Sequence, residues 1–335
     1  MFENKEERDK MTRMSGAVLL KRGYIDAIFQ KKSYLDQNMT QFQSLVEKIT
    51  SVSLKGSFED QTKKMCDYVA SLKDGDVKIL VKEIGTIPES IKASSSEEKL
   101  FSKTSDIVLS RCFNMLGLKS TTLSERANSA DVMAESVYHQ YNLVSDAKCF
   151  RMSRTAKNQK DFKVAALGNW RGDEYEYAVL VSPYFQYPKK ESQIYKAALD
   201  NEVCLLAWEH ISILLDCNVK ENKNFSLETI WKSSQMMTRK TTLDRSSKCF
   251  LPKINEIVSK KINKNIQAFN KLLDKYKTVI KQRGEFEIEC CQKKLKSFDL
   301  LTREQAIKLL KKETKLEERI KVIKGYISSL DGEEK

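Results

Sequence analysis

Histidine is nearly absent from this chain of 335 residues, which has only His139 and His210. Two imidazoles poorly support a zinc centre or a histidine-based hydrolytic site. His210 follows Trp208 and Glu209 at the start of an apolar helical run and reads as structural. None of the eight cysteines forms a C-x-x-C pair. Several lie inside apolar runs, as buried thiols in a reducing compartment do. No segment approaches the length of a membrane span. The apolar stretch Gly16 to Leu20 is too short for a signal-peptide core and runs into Lys21 and Arg22, so the expected compartment is the cytoplasm. No internal repeat of solenoid length is evident.

Positive charge, by contrast, is plentiful. Lysine and arginine total 59 against 46 aspartates and glutamates, a formal net charge of +13. Such an excess favours a polyanionic partner, because neutralising phosphates releases condensed counterions. Charge alone leaves open a basic protein with no nucleic-acid role. Hydrophobic residues at 41% and charged residues at 31% describe a chain that buries a core beneath a heavily solvated surface.

Read in order, the chain divides into three regions. Residues 1–60 are polar, with Leu19, Leu20, Ile25, Ile28 and Phe29 at helical spacing, and are expected to form a helical N-terminal extension. Residues 61–248 alternate helical and strand patterns. Short helices are expected from Phe58 to Ile91, then a helix starting at Glu97 capped by Ser96, then a second run through Ile107, Val108, Cys112, Phe113 and Leu116 that stops at Gly117. Further on, Asn158 to Trp170 reads as a helix, Tyr177 to Tyr184 as a buried strand and Ser192 to Leu199 as a helix. Val203 to Ala207 reads as a second buried strand and Glu209 to Leu215 as a helix. Strands alternating with helices after an antiparallel hairpin indicate a mixed α/β (α+β) fold, its mixed central sheet covered by helices. Residues 249–335 are expected to be helical. They open on a long amphipathic helix beyond Pro252 that turns near Gly284, followed by a helix whose start is marked by the Thr302 and Gln305 capping box. This region is either a subdomain packed on its own core or a dimer contact.

The hairpin is where chemistry concentrates. Val132 to Tyr138 and Leu143 to Phe150 are two apolar segments joined by a polar turn, His139 to Asn142, that lacks the usual glycine. Because strand side chains alternate, Asp146 and Lys148 project from one face while Ala147 and Cys149 take the other. Asp131, at the start of the partner strand, can approach Asp146. Two carboxylates can hold Mg2+ with water and a phosphate completing its shell, while a lysine orients the nucleophile or offsets charge. That is phosphodiester hydrolysis in outline. The triplet itself recurs at Asp76/Lys78, Glu97/Lys99, Asp161/Lys163, Glu221/Lys223 and Glu313/Lys315. A structural ion pair on a sheet edge is therefore the competing reading of Asp146 and Lys148.

Downstream, basic residues fall at every third position: Lys148, Arg151, Arg154, Lys157, Lys160 and Lys163. On a helix they spread over a broad surface rather than one line. Asn158 and Gln159 are interleaved with them, and their amides suit adenine N6 and N7 in the major groove. An ordinary solvated helix face is the alternative.

Asp131, Asp146-Ala147-Lys148 and the run Cys149 to Lys163 resemble the catalytic segment of HindIII-type restriction endonucleases, within the PD-(D/E)XK nuclease superfamily. The likeness extends to Ile87 to Lys92, Glu98 to Lys103, Phe185 to Pro188 and Trp208 to His210. It implies that residues 61–248 form the catalytic and DNA-binding core, that Asp131 and Asp146 ligate Mg2+, and that Lys148 is the catalytic lysine. Glu125 is a candidate auxiliary acid, with a surface salt bridge as its plainer reading. Ala130 stands where the superfamily has a proline, which shapes only the backbone. Arg151, Arg154, Lys157, Asn158 and Lys160 become candidate DNA contacts. The resemblance further implies a homodimer acting on the double-stranded palindrome AAGCTT, cut between the adenines to leave 5' overhangs, and a cognate methyltransferase that masks the same site. The residues alone leave open a structure-specific repair nuclease and a noncatalytic DNA-binding protein.

Overall fold

Five strands form a mixed sheet in chain order: β1 (Leu118–Thr122), β2 (Val132–Ser136), β3 (Asn142–Ala147), β4 (Tyr177–Ser182) and β5 (Val203–Ala207). The computed structural model describes residues 36–123, 130–154, 159–189, 192–237, 243–314 and 320–324. Residues 32–284 form one compact unit, and the described residues from 285 onward belong to a second. The sheet lies in the first. Strands β1, β2 and β3 pair antiparallel, and β3, β4 and β5 pair parallel. Every side chain of β4 and β5 is buried, as expected of parallel strands covered on both faces.

Helices α1 (Asp36–Val52), α2 (Phe58–Ser71), α3 (Asp74–Leu80) and α4 (Ser96–Met115) precede the sheet. Short α5 (Gln159–Phe162) and α6 (Val164–Arg171) connect β3 to β4, and α7 (Gln193–Asp200) connects β4 to β5. Then follow α8 (Trp208–Asp216), α9 (Glu228–Trp231), α10 (Leu243–Lys261), α11 (Ile266–Phe298) and α12 (Arg303–Thr314). Helix α4 packs across β1, β2 and β3, while α6, α7 and α10 cover the β4–β5 side. The expected mixed sheet with helical cover is thus present. Among the described residues, no helix is long and apolar enough to cross a membrane.

Several local readings need correction. Helix α4 is one continuous element rather than two runs, and its N-cap is Ser95, whose Oγ accepts from Glu98 N–H at 3.1 Å, not Ser96. It does stop before Gly117, where φ is +93° and a Cβ would stand 2.8 Å from the Glu221 carbonyl. Strand β1 was not anticipated: Leu118-Lys-Ser-Thr-Thr is polar on one face and gains its structure from pairing, Thr122 opposite Val132. The segment expected as one helix over Asn158 to Trp170 is broken at Lys163, which adopts φ +51° between α5 and α6. Pro252 lies inside α10, and the interruption falls instead at Asn263, with φ +54°. Gly284 makes no turn. It sits within α11, where a Cβ would meet Met152 Cε at 3.3 Å, so close approach accounts for the glycine. The Thr302 capping box forms as read: Gln305 N–H donates to Thr302 Oγ1 at 3.3 Å, and Thr302 N–H to Gln305 Oε1 at 3.0 Å. The apolar residues from Leu19 to Phe29 lie outside the described residues.

Buried polar groups fasten the core beside the sheet. Cys112, Cys149 and Cys204 are buried thiols of this unit. His210 is structural: its Nδ1 accepts from Ala207 N–H at 3.1 Å and its Nε2 bonds Asn255 Oδ1 at 2.8 Å. Burial pushes its pKa down to about 4. The neighbouring Glu209 accepts from Tyr184 N–H at 2.8 Å, and burial pushes its pKa up to about 7. Farther off, Arg283 of α11 and Glu83 form a buried ion pair at 2.9 Å, with the guanidinium 4.5 Å over the Phe42 ring.

Candidate active site

The β2–β3 register pairs Val132 with Ser145, so Asp131, one residue earlier, faces Asp146 across the hairpin. Both carboxylates therefore leave the sheet on one side. Lys148 follows on that side and forms a short ion pair with Asp146. Its backbone continues the parallel ladder, donating to Val181 O at 2.7 Å, while its own carbonyl accepts from Trp208 Nε1 at 3.0 Å. The lysine is therefore fixed at both peptide groups.

A third acid completes the cluster from above the sheet. Asp106, buried on α4, offers an oxygen within 4.8 Å of oxygens from Asp131 and Asp146. Its Oδ1 accepts from Ala147 N–H at 3.0 Å, past the last rung of the β2–β3 ladder. That hydrogen bond satisfies a backbone donor which would otherwise be buried without a partner. Desolvation, with the charges of Asp131 and Asp146 added, drives the Asp106 pKa well above the carboxylate range. Desolvation also raises Asp146, against the pull of Lys148. For Lys148 burial works downward, and the combined attraction of Asp146, Asp106 and Asp131 outweighs it, leaving the ammonium above its ordinary value. Lys103, one helical turn before Asp106, reaches Asp131 Oδ1 at 2.8 Å.

Three carboxylates offering hard oxygen donors beside a lysine could hold a small divalent cation. The model of the HindIII restriction endonuclease family matches residues 43–327. Over 300 residues the sequence is 40% identical to the type II restriction enzyme HindIII of Haemophilus influenzae, covering 90% of this chain and 97% of that protein. This chain belongs to the HindIII restriction endonuclease family.

The residues expected to contact DNA meet different fates. Arg151 is turned inward. Its Nε and Nη2 donate to Glu98 Oε1 at 3.1 and 2.8 Å, and its Nη1 donates to Pro88 O at 3.0 Å. Arg154 is exposed, pairs with Asp161, and lies 5.6 Å over the Phe150 ring. Lys157 and Asn158 lie outside the described residues, as does Glu125. Lys160 falls within α5. Asp131, Asp146 and Lys148 are brought together, joined by Asp106 and Lys103, neither of which the sequence reading named as a site residue. Their signal was a pair of charged residues on a helix segment, Lys103 to Ser110, that is otherwise apolar or small and wholly buried.

Proposed function

We propose that this enzyme is a Mg2+-dependent type II restriction endonuclease that cuts both strands of double-stranded DNA at AAGCTT, between the adenines, leaving 5' overhangs. The observation that carries the reading is the meeting of Asp131, Asp146 and Asp106 beside Lys148, within a chain so like the Haemophilus enzyme. Asp131, Asp146 and Asp106 would hold the ion, an all-oxygen donor set of the kind Mg2+ accepts alongside water and phosphate. When bound, Mg2+ polarises the scissile phosphate and acidifies water. Lys148 orients the attacking water and offsets the charge that builds on the phosphate. Arg154, Lys157 and Lys160 hold the DNA backbone and Asn158 reads a base edge. Arg151, held by Glu98 and Pro88, braces the start of that segment.

A palindrome cut on both strands calls for a two-fold homodimer. The second unit supplies a suitable surface, with Leu300, Leu310 and Val322 exposed at 84%, 64% and 71%. A methyltransferase specific for the same site, with no need to bind this chain, would protect the host DNA in the same cytoplasm. Digestion of DNA of known sequence, with Mg2+ or with a chelator, should give discrete metal-dependent fragments whose mapped ends lie at AAGCTT. Asp146→Asn should abolish cutting while leaving DNA binding largely intact. Cutting of branched DNA without sequence preference would instead indicate a repair nuclease. Salt-sensitive binding with no hydrolysis under any metal would reduce the chain to a DNA-binding protein.

A further inference from the structure

Lysine is seldom buried unless it is paired. The Lys103 side chain is 7% exposed, and its Nζ lies 2.8 Å from Asp131 Oδ1 and 3.4 Å from the Leu123 carbonyl. Helix α4 thus delivers a carboxylate and an ammonium to the same cluster, three residues apart and on one face. Lys148 sits on Asp146 and Lys103 sits on Asp131, so each acid of the hairpin carries its own cation. The chemistry proposed above gives Lys148 a task at the phosphate and leaves Lys103 without one.

We propose that Lys103 is a built-in counter-cation that competes with the divalent ion for Asp131 and so sets how weakly the site holds metal. This rests on the reading of Asp131 and Asp146 as metal ligands. An ion that takes up the Asp131 oxygens must displace the ammonium or sit beside it, and either costs binding energy. Metal affinity in carboxylate sites follows the count of negative charge, which Lys103 lowers by one.

The test is Mg2+ binding to the full chain without DNA, by calorimetry, with Mn2+ uptake followed by loss of the free-ion resonance signal as a second readout. Lys103→Met should bind both ions more tightly by about tenfold or more, the order expected for one charge at a few ångströms in a site that water still reaches. Lys103→Arg, which keeps the charge, should bind like the wild type. If Lys103→Met does not fold, Lys103→Gln carries the same expectation and keeps a hydrogen-bond donor for Asp131. Asp146→Asn must lose binding in either background. Unchanged or weaker binding by the neutral variants overturns the role of Lys103 alone. A wild-type chain that takes up neither ion overturns the metal reading and this inference with it.

Discussion

Replacing Glu209 with glutamine should reshape the dependence of stability on pH, in a direction that its neighbour makes visible. In the folded chain the Glu209 carboxyl keeps its proton up to about pH 7, whereas its unperturbed value is 4.5. Folding therefore takes up a proton in that window, and the stability it lends at low pH is lost as pH rises toward 7. His210 acts in the opposite sense. It is neutral in the fold down to about pH 4 but protonates at 6.5 when unperturbed, so stability falls as pH drops through that range. Each gap corresponds to roughly 3 kcal/mol, at about 1.4 kcal/mol per tenfold change in proton affinity. Between about pH 4.5 and 6.5 the two contributions oppose and nearly cancel. Glu209→Gln retains an oxygen for the Tyr184 N–H and removes the titration. Urea denaturation of both proteins at pH 4.5 and pH 8 should show the variant gaining roughly 3 kcal/mol relative to wild type across that span. Parallel pH profiles for the two would refute a buried, protonated Glu209.

Asp106→Asn keeps an acceptor for the Ala147 N–H, so melting should be little changed, while metal-dependent cleavage should fall about ten- to a hundredfold in single-turnover assays. A Cβ at Gly85 would stand 2.7 Å from Trp208 Cδ1 and 2.9 Å from Pro183 Cγ. Gly85→Ala should therefore cost about 1–3 kcal/mol and slow cleavage by moving the indole that holds the Lys148 carbonyl. Trp208→Phe should slow it without that clash, with DNA binding unchanged in both, as gel shifts would report. Arg283→Met removes the guanidinium from buried Glu83 and should lower stability by roughly 3–5 kcal/mol, read as a lower urea midpoint at constant m.

The central hairpin was legible as two short apolar segments on either side of a polar turn, to which the strand period of two was then applied. That period alone puts Asp146 and Lys148 on one side. Buried β4 and β5 announced themselves as short apolar runs bounded by polar residues. Strand β1 did not, since its lysine, serine and threonines carry no apolar pattern and owe their conformation to a partner. Asp106 was hidden for a related reason. A helix shows its solvated face through charge, and here the charged residues point inward, so a buried acid looks like a blemish in an apolar stripe. Pro252 and Gly284 misled in the other direction, because tertiary packing overrides local propensity at both.

Beyond Lys148 the chain is stitched to a distant strand-like segment: Phe150 N–H bonds the Gly85 carbonyl, and its own carbonyl takes Ile87 N–H. Phe150 is two residues past Lys148 and four before Arg154. Packed matter of this kind passes strain along rather than absorbing it. On the proposed role of Arg154 at the DNA backbone, a pull on that side chain would reach the Asp146 and Lys148 cluster through this rivet with little slack, linking DNA engagement to the geometry of the carboxylates.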